Sequence, residues 1–276
     1  MSTPDRASAP AGPGLAINVG NTRVALGVFG PDGLLDTFRL SSRVDRTTDE
    51  VTALVSSFLG SYAELLVGGW AGVASVVPAR TASYVALAAH WTGREPYLVR
   101  GEDVPGLTMD VPEPASVGAD RIANAVAAAG RSRLPCIVVD LGTATHFEVV
   151  TDGPTFAGGI IAPGALTAAD ALFTGTARLA AVEFERPAHV LGRTTRECVQ
   201  SGVFHGAIAQ IEGLITALRR ELVSSLSAAG GTGKPGVLAT GGLAPLLAPE
   251  SRLLRRVIPE LTLEGIALLA ARADRR

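Results

Sequence analysis

The chain has 276 residues, 47% of them hydrophobic and 18% charged, which is enough apolar material for one large domain or two medium ones. A formal net charge of −2 argues against a general nucleic-acid binder, and no apolar run is long enough to span a membrane. The only cysteines, Cys136 and Cys198, have no zinc-ligand spacing and read as two buried reduced thiols of a cytoplasmic protein.

Residues 1–14 are rich in Pro, Gly, Ala and Ser without an apolar segment, so they read as a disordered tail rather than a signal peptide. Leu15 to Phe29 follows as an apolar strand, the polar Asn18, the turn Gly20-Asn21-Thr22 and a second apolar strand, closed by Pro31-Asp32-Gly33. A third strand is expected over 34–40. Thr47, Thr48, Asp49 and Glu50 start a helix whose apolar face is Val51, Leu54, Val55, Phe58 and Leu59. A strand over 71–77 should stop at Pro78, a helix should cover 81–91 and a short strand 97–99. Gly101 to Pro114 holds three prolines and little periodicity, and marks a boundary between an N-terminal half, 15–114, and a C-terminal half, 115–276. Ser116 is placed to cap a helix running through Gly118-Ala119-Asp120-Arg121 to Ala129, with Gly130 as its stop.

The run Ile137-Val138-Val139 reads as a buried strand ended by Asp140, followed by the turn Gly142-Thr143-Ala144-Thr145 and a second apolar run into Asp152-Gly153. A third strand near 156–161 ends in Ala162-Pro163-Gly164, and 165–180 look helical. The longest helix should start at Thr194 or Thr195, with Val199, Val203, Ile211, Ile215, Leu218 and Leu222 along one stripe. Gly202, Gly206 and Gly213 interrupt it, which suits close packing or a subunit contact. A flexible link over 224–236 leads to a strand over 237–239, the turn Thr240-Gly241-Gly242 and a last helix near 263–273.

Two of these units repeat one another: Asn18 and Asp140 stand 122 residues apart, and Gly33 and Gly153 stand 120 apart. A repeat at nearly constant offset predicts two similar α/β halves. A polar residue at a strand end beside a Gly/Thr turn can aim backbone N–H groups and hydroxyls at a phosphate. In such sheets ligands sit beyond the carboxyl ends of the strands, which predicts a central nucleotide cleft.

Taken in order, these motifs resemble those of the type III pantothenate kinase family, in the acetate and sugar kinase, actin-like superfamily. Gly20-Asn21-Thr22 resembles its first phosphate motif, Gly118-Ala119-Asp120-Arg121 its Gly-x-Asp-Arg substrate motif, and Asp140-Leu141-Gly142-Thr143 its second phosphate motif. Gly158-Gly159, Ala162-Pro163-Gly164, Gln200-Ser201-Gly202 and Thr240-Gly241-Gly242 fall in family order, and the match covers nearly everything after the tail. The resemblance implies two actin-like (ribonuclease H-like) halves and transfer of the γ-phosphoryl group of ATP to the primary hydroxyl of pantothenate, the first step of coenzyme A biosynthesis. It also implies Mg²⁺, a monovalent cation (K⁺ or NH₄⁺) and a homodimer with shared active sites. Asp120 would be the base and Arg121 would hold the substrate carboxylate, with Gly118, Ala119 and Val111 beside them. Asn18, Gly20, Asn21, Thr22, Arg23, Gly142, Thr143, Gly241 and Gly242 would meet ATP, and Asp140 would bind the cation. Thr195 resembles a threonine that reaches the pantothenate site from the neighbouring subunit; as a residue, it is equally a helix cap.

Three positions depart from the family pattern. Asn18 stands where the family has an aspartate, which removes a negative charge from a site expected to attract Mg²⁺. Val111 stands where a tyrosine usually contacts pantothenate, and His146 replaces the usual threonine. The alternatives are a paralogue that phosphorylates another small hydroxylated acid, and a catalytically weak nucleotide-binding regulatory protein.

Overall fold

The computed structural model describes residues 12–42, 44, 46–174, 183–228 and 234–275. Most of the expected tail therefore lies outside the described residues. Its last three residues are ordered against Trp70, which donates from Nε1 to the Gly12 carbonyl at 3.0 Å and from its backbone N–H to that of Pro13 at 3.2 Å.

Two compact units are present: residues 1–132, 150–158 and 260–276 form the first, and residues 133–149 and 159–259 the second. The first holds a sheet ordered β3 (Gly33–Ser41), β2 (Arg23–Gly30), β1 (Gly14–Val19), β4 (Trp70–Ser75) and β5 (Tyr97–Leu98). The β1–β2 and β2–β3 pairs are antiparallel hairpins, whereas β1–β4 and β4–β5 are parallel. Parallel pairing needs a crossover, and helices α1 (Thr48–Leu59) and α2 (Ala63–Leu66) lie on the path from β3 to β4. Leu15, Ile17, Val19, Leu26 and Val28 meet Val51, Val55 and Leu59 of α1 and Tyr84 and Leu87 of α3 (Pro78–Thr92) in one core.

The sheet's other face is built from small residues. A Cβ on Gly72 would come within 2.8 Å of Ile266 Cγ2, and one on Gly27 within 3.2 Å of Leu263 Cδ1. Both partners belong to the C-terminal helix α8 (Leu261–Ala273), which also packs on α4 (Ala119–Arg131). Gly265 sits so close to α4 that a Cβ would lie 1.9 Å from the Ala123 carbonyl oxygen. Thr262 Oγ1 reaches Asn124 Oδ1 at 2.7 Å, and Arg131 pairs with Glu264 at 2.9 Å. The units thus differ from the boundary read at residue 114, because α4 and α8 bury their faces with the first sheet.

In the second sheet the order is β10 (Gly236–Thr240), β7 (Cys136–Leu141), β8 (Ala144–Thr151), β9 (Thr155–Pro163), with β6 (Thr108–Met109) pairing parallel to Thr155–Phe156. β7 and β10 are parallel. Read from β9, this repeats the third-second-first-fourth order of the first sheet, as the duplicated hairpins predict. Even the fifth position survives as a single parallel bridge from Ala239 to Val257. Ile137, Val139, Leu141 and Phe147 form the second core with Phe204, Ile211 and Ile215 of the long helix α6 (Thr195–Ala228) and with Ala244 and Leu247 of α7 (Ala244–Leu247). Helix α5 (Ala165–Thr174) precedes α6; the remainder of the helix expected over 165–180 lies outside the described residues.

Several local expectations are corrected. Helix α3 starts at Pro78, not Thr81, because proline is well suited to the first helical position, and β4 accordingly ends at Ser75. Ser116 does not cap α4: it closes a 3₁₀ turn, its hydroxyl donating to the Glu113 carbonyl at 2.8 Å, and Gly118 is the N-cap. Gly130 lies inside α4, which runs on to Arg131. Helix α6 continues to Ala228 through the start of the expected link, and residues 229–233 are outside the described residues. At that turn of α6 it is Phe204, not Val203, that is fully buried. Cys136 is buried, but Cys198 is exposed in the first turns of α6.

Thr47 caps α1 through a reciprocal pair: its Oγ1 accepts the Glu50 N–H at 3.3 Å, and Glu50 Oε2 accepts the Thr47 N–H at 2.8 Å. The Thr47 backbone and then its side chain hold the Glu50 carboxyl below its ordinary value, against burial, with Arg46 adding to the effect. A lowered folded pKa gives stability that is complete above the ordinary carboxylate value and fades as pH falls through the lowered one. The Tm gap between wild type and Glu50→Gln is therefore expected to be widest near neutrality and to close as pH drops from about 6 to about 3. A gap that stays constant over that range would refute the capping account.

Candidate active site

Each unit presents its own set of sequence-predicted residues at the carboxyl end of its sheet. In the first unit, the turn between β1 and β2 is held by a Gly20 N–H to Arg23 carbonyl bond of 3.0 Å. A side chain at position 20 would meet that same oxygen at 3.0 Å, so glycine keeps the turn tight. Asn21 and Arg23 are exposed and Thr22 half-buried at the tip. Asn18, one residue before the end of β1, has its Oδ1 fully buried with no hydrogen-bond partner among the described residues. An unsatisfied buried acceptor costs about 1–3 kcal/mol, which makes this oxygen a natural contact for a metal-bound water or cation.

The Gly-x-Asp-Arg segment joins the same end of this sheet. A Cβ on Gly118 would come 3.5 Å from Val76 Cγ1, and the Val76 N–H donates to the Val19 carbonyl at 3.0 Å. The same Cβ would stand 2.7 Å from Asp120 Oδ1, so glycine at the cap leaves room for that carboxylate. Asp120 Oδ1 accepts the Arg121 N–H at 2.8 Å within the first turn of α4, where N–H groups lack intrahelical partners and the helix dipole favours negative charge. The Arg121 guanidinium lies over the Phe156 ring, 5.6 Å from its centroid. Phe156 also accepts the Asp110 N–H at 3.0 Å, and Val111 Cγ1 is 4.0 Å from where a Gly158 Cβ would be. Val111 and Arg121 therefore border one strand segment, Phe156–Gly158. Phe156 was not singled out in the sequence; its single aromatic ring on a strand carries no motif.

In the second unit three turns converge. A Cβ on Gly241, whose φ is +93°, would lie 2.4 Å from Asp140 Oδ1 and 2.6 Å from the Leu141 nitrogen. One on Gly164 would lie 2.3 Å from the Thr143 carbonyl oxygen and 2.6 Å from that of Gly142. Glycine at both places is what lets the Asp140 carboxylate, the Gly142-Thr143 turn and the start of α5 approach one another. Gly142 N–H closes its turn on the Ala144 carbonyl at 3.1 Å, and Thr167 Oγ1 donates to the Thr143 carbonyl at 2.5 Å. Thr143 and Gly242 are exposed at this edge, whereas His146 is half-buried.

Thr195 is the first residue of α6 and is exposed, but the cap is Thr194. Thr194 Oγ1 accepts the Glu197 N–H at 3.2 Å, and Glu197 Oε2 accepts the N–H groups of Arg193 at 2.7 Å and Thr194 at 3.3 Å. The capping alternative for Thr195 is thereby removed. Among the described residues, no three His, Cys, Asp or Glu side chains group to hold a metal. A Mg²⁺ here would draw most of its ligands from phosphate oxygens and water, its usual habit, and the orphaned Asn18 oxygen fits that outer role. The Asp140 carboxylate, a hard oxygen donor, fits a monovalent cation.

Two α/β units of one duplicated strand order, each with a Gly-bearing turn at the carboxyl end of its sheet, define a protein of the actin-like, ribonuclease H-like class. The fold is shared with a conserved Baf family protein of Campylobacter jejuni, at TM-score 0.56 and 16% identity, covering 95% of this chain and 100% of that one. It is shared too with (R)-2-hydroxyglutaryl-CoA dehydratase component A of Acidaminococcus fermentans, at TM-score 0.56 and 13% identity, covering 96% and 99%. The family model for type III pantothenate kinase matches residues 14–217. Type III pantothenate kinases of Moorella thermoacetica (39% identical, covering 94% of this chain and 98% of the relative) and Acidothermus cellulolyticus (38%, 94% and 98%) are similar over nearly the whole length. That of Thermomicrobium roseum is 40% identical, over 91% of this chain and 94% of its own. The chain belongs to the type III pantothenate kinase family.

Proposed function

We propose that the chain is an ATP-dependent kinase that phosphorylates the primary hydroxyl of pantothenate, the first step of coenzyme A biosynthesis. The family match across both units carries this reading. In the reaction, the pantothenate oxygen forms a bond to the γ-phosphorus and the bond to the bridging β–γ oxygen breaks, releasing ADP. The hydroxyl proton passes to the Asp120 carboxylate in the first turn of α4. Arg121 binds the substrate carboxylate through its planar fork, its plane steadied by Phe156, with Gly118, Ala119 and Val111 forming the adjoining wall. Gly20, Asn21, Thr22, Arg23, Gly142, Thr143, Gly241 and Gly242 serve the ATP phosphates. Asp140 would hold K⁺ or NH₄⁺, and the Asn18 oxygen would face Mg²⁺ or its bound water, which when present would supply charge neutralisation at the phosphates. The exposed Thr195 reaches the pantothenate site of a partner subunit in a homodimer. Among the described residues no helix is long and apolar enough to cross a membrane, and the reading places the enzyme in the cytoplasm.

The test is ADP release with ATP, Mg²⁺, K⁺ and pantothenate. Pantothenate-dependent turnover supports the reading; its absence in folded protein sinks it. Turnover confined to another hydroxylated acid would favour the paralogue reading, for which Val111 is the specific motive, since it cannot donate the hydrogen bond of a tyrosine.

Asn18 yields a separate expectation. Asn18→Asp puts an uncompensated carboxylate at a buried atom, which is costly unless a cation pairs with it. The variant should melt below wild type in EDTA and recover with millimolar Mg²⁺, and its turnover should saturate at lower Mg²⁺. Equal melting with and without Mg²⁺ would remove position 18 from the metal site.

A further inference from the structure

The carboxyl end of the first sheet carries two guanidiniums that the reading above does not use. Arg80, in the first turn of α3, donates from Nη1 to the Ser42 carbonyl, and Arg46 donates from Nη1 to the Ser41 carbonyl at 2.8 Å. Ser41 is the last residue of β3. The Ser42 N–H in turn donates to the Thr22 carbonyl at 2.9 Å, so both arginines are tied to the Gly20–Arg23 turn through one short stretch of backbone. Their charges also converge on Tyr84: burial raises its phenol pKa, while Arg80 and then Arg46 draw it down.

Two like charges held near each other repel, and a fold normally answers with carboxylates. Here, among the described residues, neither guanidinium has a carboxylate within ion-pair distance. Glu50 lies near enough to feel Arg46, and its Oε2 accepts from both the backbone N–H and the hydroxyl of Thr47. The hydrogen bond seen for each arginine uses one of five N–H donors, and those bonds go to neutral carbonyls. Ser42 is 4% exposed, and its Oγ has no hydrogen-bond partner among the described residues. A cationic pair with no carboxylate at ion-pair distance among the described residues, a buried hydroxyl with no partner there and a phosphate turn next door all suit an anion.

We propose that Arg46 and Arg80, with the Ser41-Ser42 segment, form a second anion-binding element beside the Gly20–Arg23 turn, and that it takes an oxygen of the terminal phosphate of ATP. This rests on the reading of the chain as an ATP-dependent kinase. In a loose phosphoryl-transfer transition state charge is spread over the transferred group's oxygens, so cations poised there act on positioning and charge together.

The experiment compares equilibrium binding of ATP and AMP by the full chain in Mg²⁺, for wild type, Arg80→Gln, Arg80→Lys and Arg46→Gln, with thermal melting alongside. Loss of a charge-assisted contact should weaken ATP by roughly 10- to 100-fold in Arg80→Gln while leaving AMP within about two-fold. Arg80→Lys should recover part of the loss. Equal weakening of ATP and AMP would mark a purely structural tie and overturn the proposal, as would unchanged ATP binding. Inorganic phosphate that binds the arginine pair without competing with ATP would overturn the assignment to the polyphosphate chain. Should Arg80→Gln fail to fold, Arg46→Gln carries the same comparison with the same expected loss. Wild-type turnover with an unaffected Arg80→Gln defeats only this inference; wild type without pantothenate-dependent turnover defeats the kinase reading and the inference with it.

Discussion

Asp120→Asn is expected to lower kcat for pantothenate phosphorylation by about 10²- to 10⁴-fold, the usual contribution of a positioned general base, with KM for pantothenate changed only a few-fold. Asparagine keeps the volume and the Oδ1 acceptor that receives the Arg121 N–H at 2.8 Å, so the first turn of α4 and the neighbouring guanidinium should stay in place. What it loses is the ability to take the hydroxyl proton, an interaction that matters in the transition state and little in the ground state. Thermal stability should fall slightly, because a carboxylate in the first turn of a helix gains about 0.3–1 kcal/mol from the dipole. Steady-state ADP release at saturating ATP measures the effect. A loss smaller than ten-fold would show that Asp120 is not the base, and a rise in KM at unchanged kcat would move it to substrate binding.

The second large effect is expected far from any phosphate. Gly265→Ala places a Cβ where the Ala123 carbonyl oxygen lies 1.9 Å away and its carbon 2.4 Å away. Neither is the end of a flexible side chain, so one helix backbone must shift. Overpacking of this kind costs about 1–3 kcal/mol where side chains can yield; against backbone the upper end or beyond is expected, read as a drop in the denaturant midpoint. The injury should also reach turnover, since Ala123 stands one turn after Asp120 on α4. At a temperature where the variant remains folded, kcat should still be reduced. A variant as stable as wild type would mean that the α4–α8 contact accommodates a methyl group.

Both predictions involve features that the sequence displayed unevenly. The hairpins around Asn18 and Asp140 were legible because alternation, glycine turns and a near-constant offset all lie within short windows, and the duplicated sheet order followed from them. Gly118, Asp120 and Arg121 were legible as a motif, but the helix start was not. Ser116 is the better cap by residue type, and it lost to Gly118, where only a missing Cβ leaves space for the Asp120 carboxylate. Gly130 looked like a stop, yet α4 passes through it because its face is already buried by α8. β6 has two residues and no pattern of its own; its partner Phe156 lies far along the chain, and so did the support for Arg121. Gly72 and Gly265 carry no local signal either, since their purpose is the approach of α8, which no short window contains.

The chain's last helix completes its first unit, which has a consequence for synthesis. Residues 1–132 emerge from the ribosome well before 260–276, and until then the small-residue face of the first sheet lacks the α8 part of its cover. At typical elongation rates that interval lasts on the order of ten seconds. The nascent N-terminal segment must wait through it as an open, apolar sheet, or remain unfolded. Premature termination anywhere before α8 would leave a product with that face permanently short of its α8 cover, a substrate for chaperones and proteases rather than a shortened kinase.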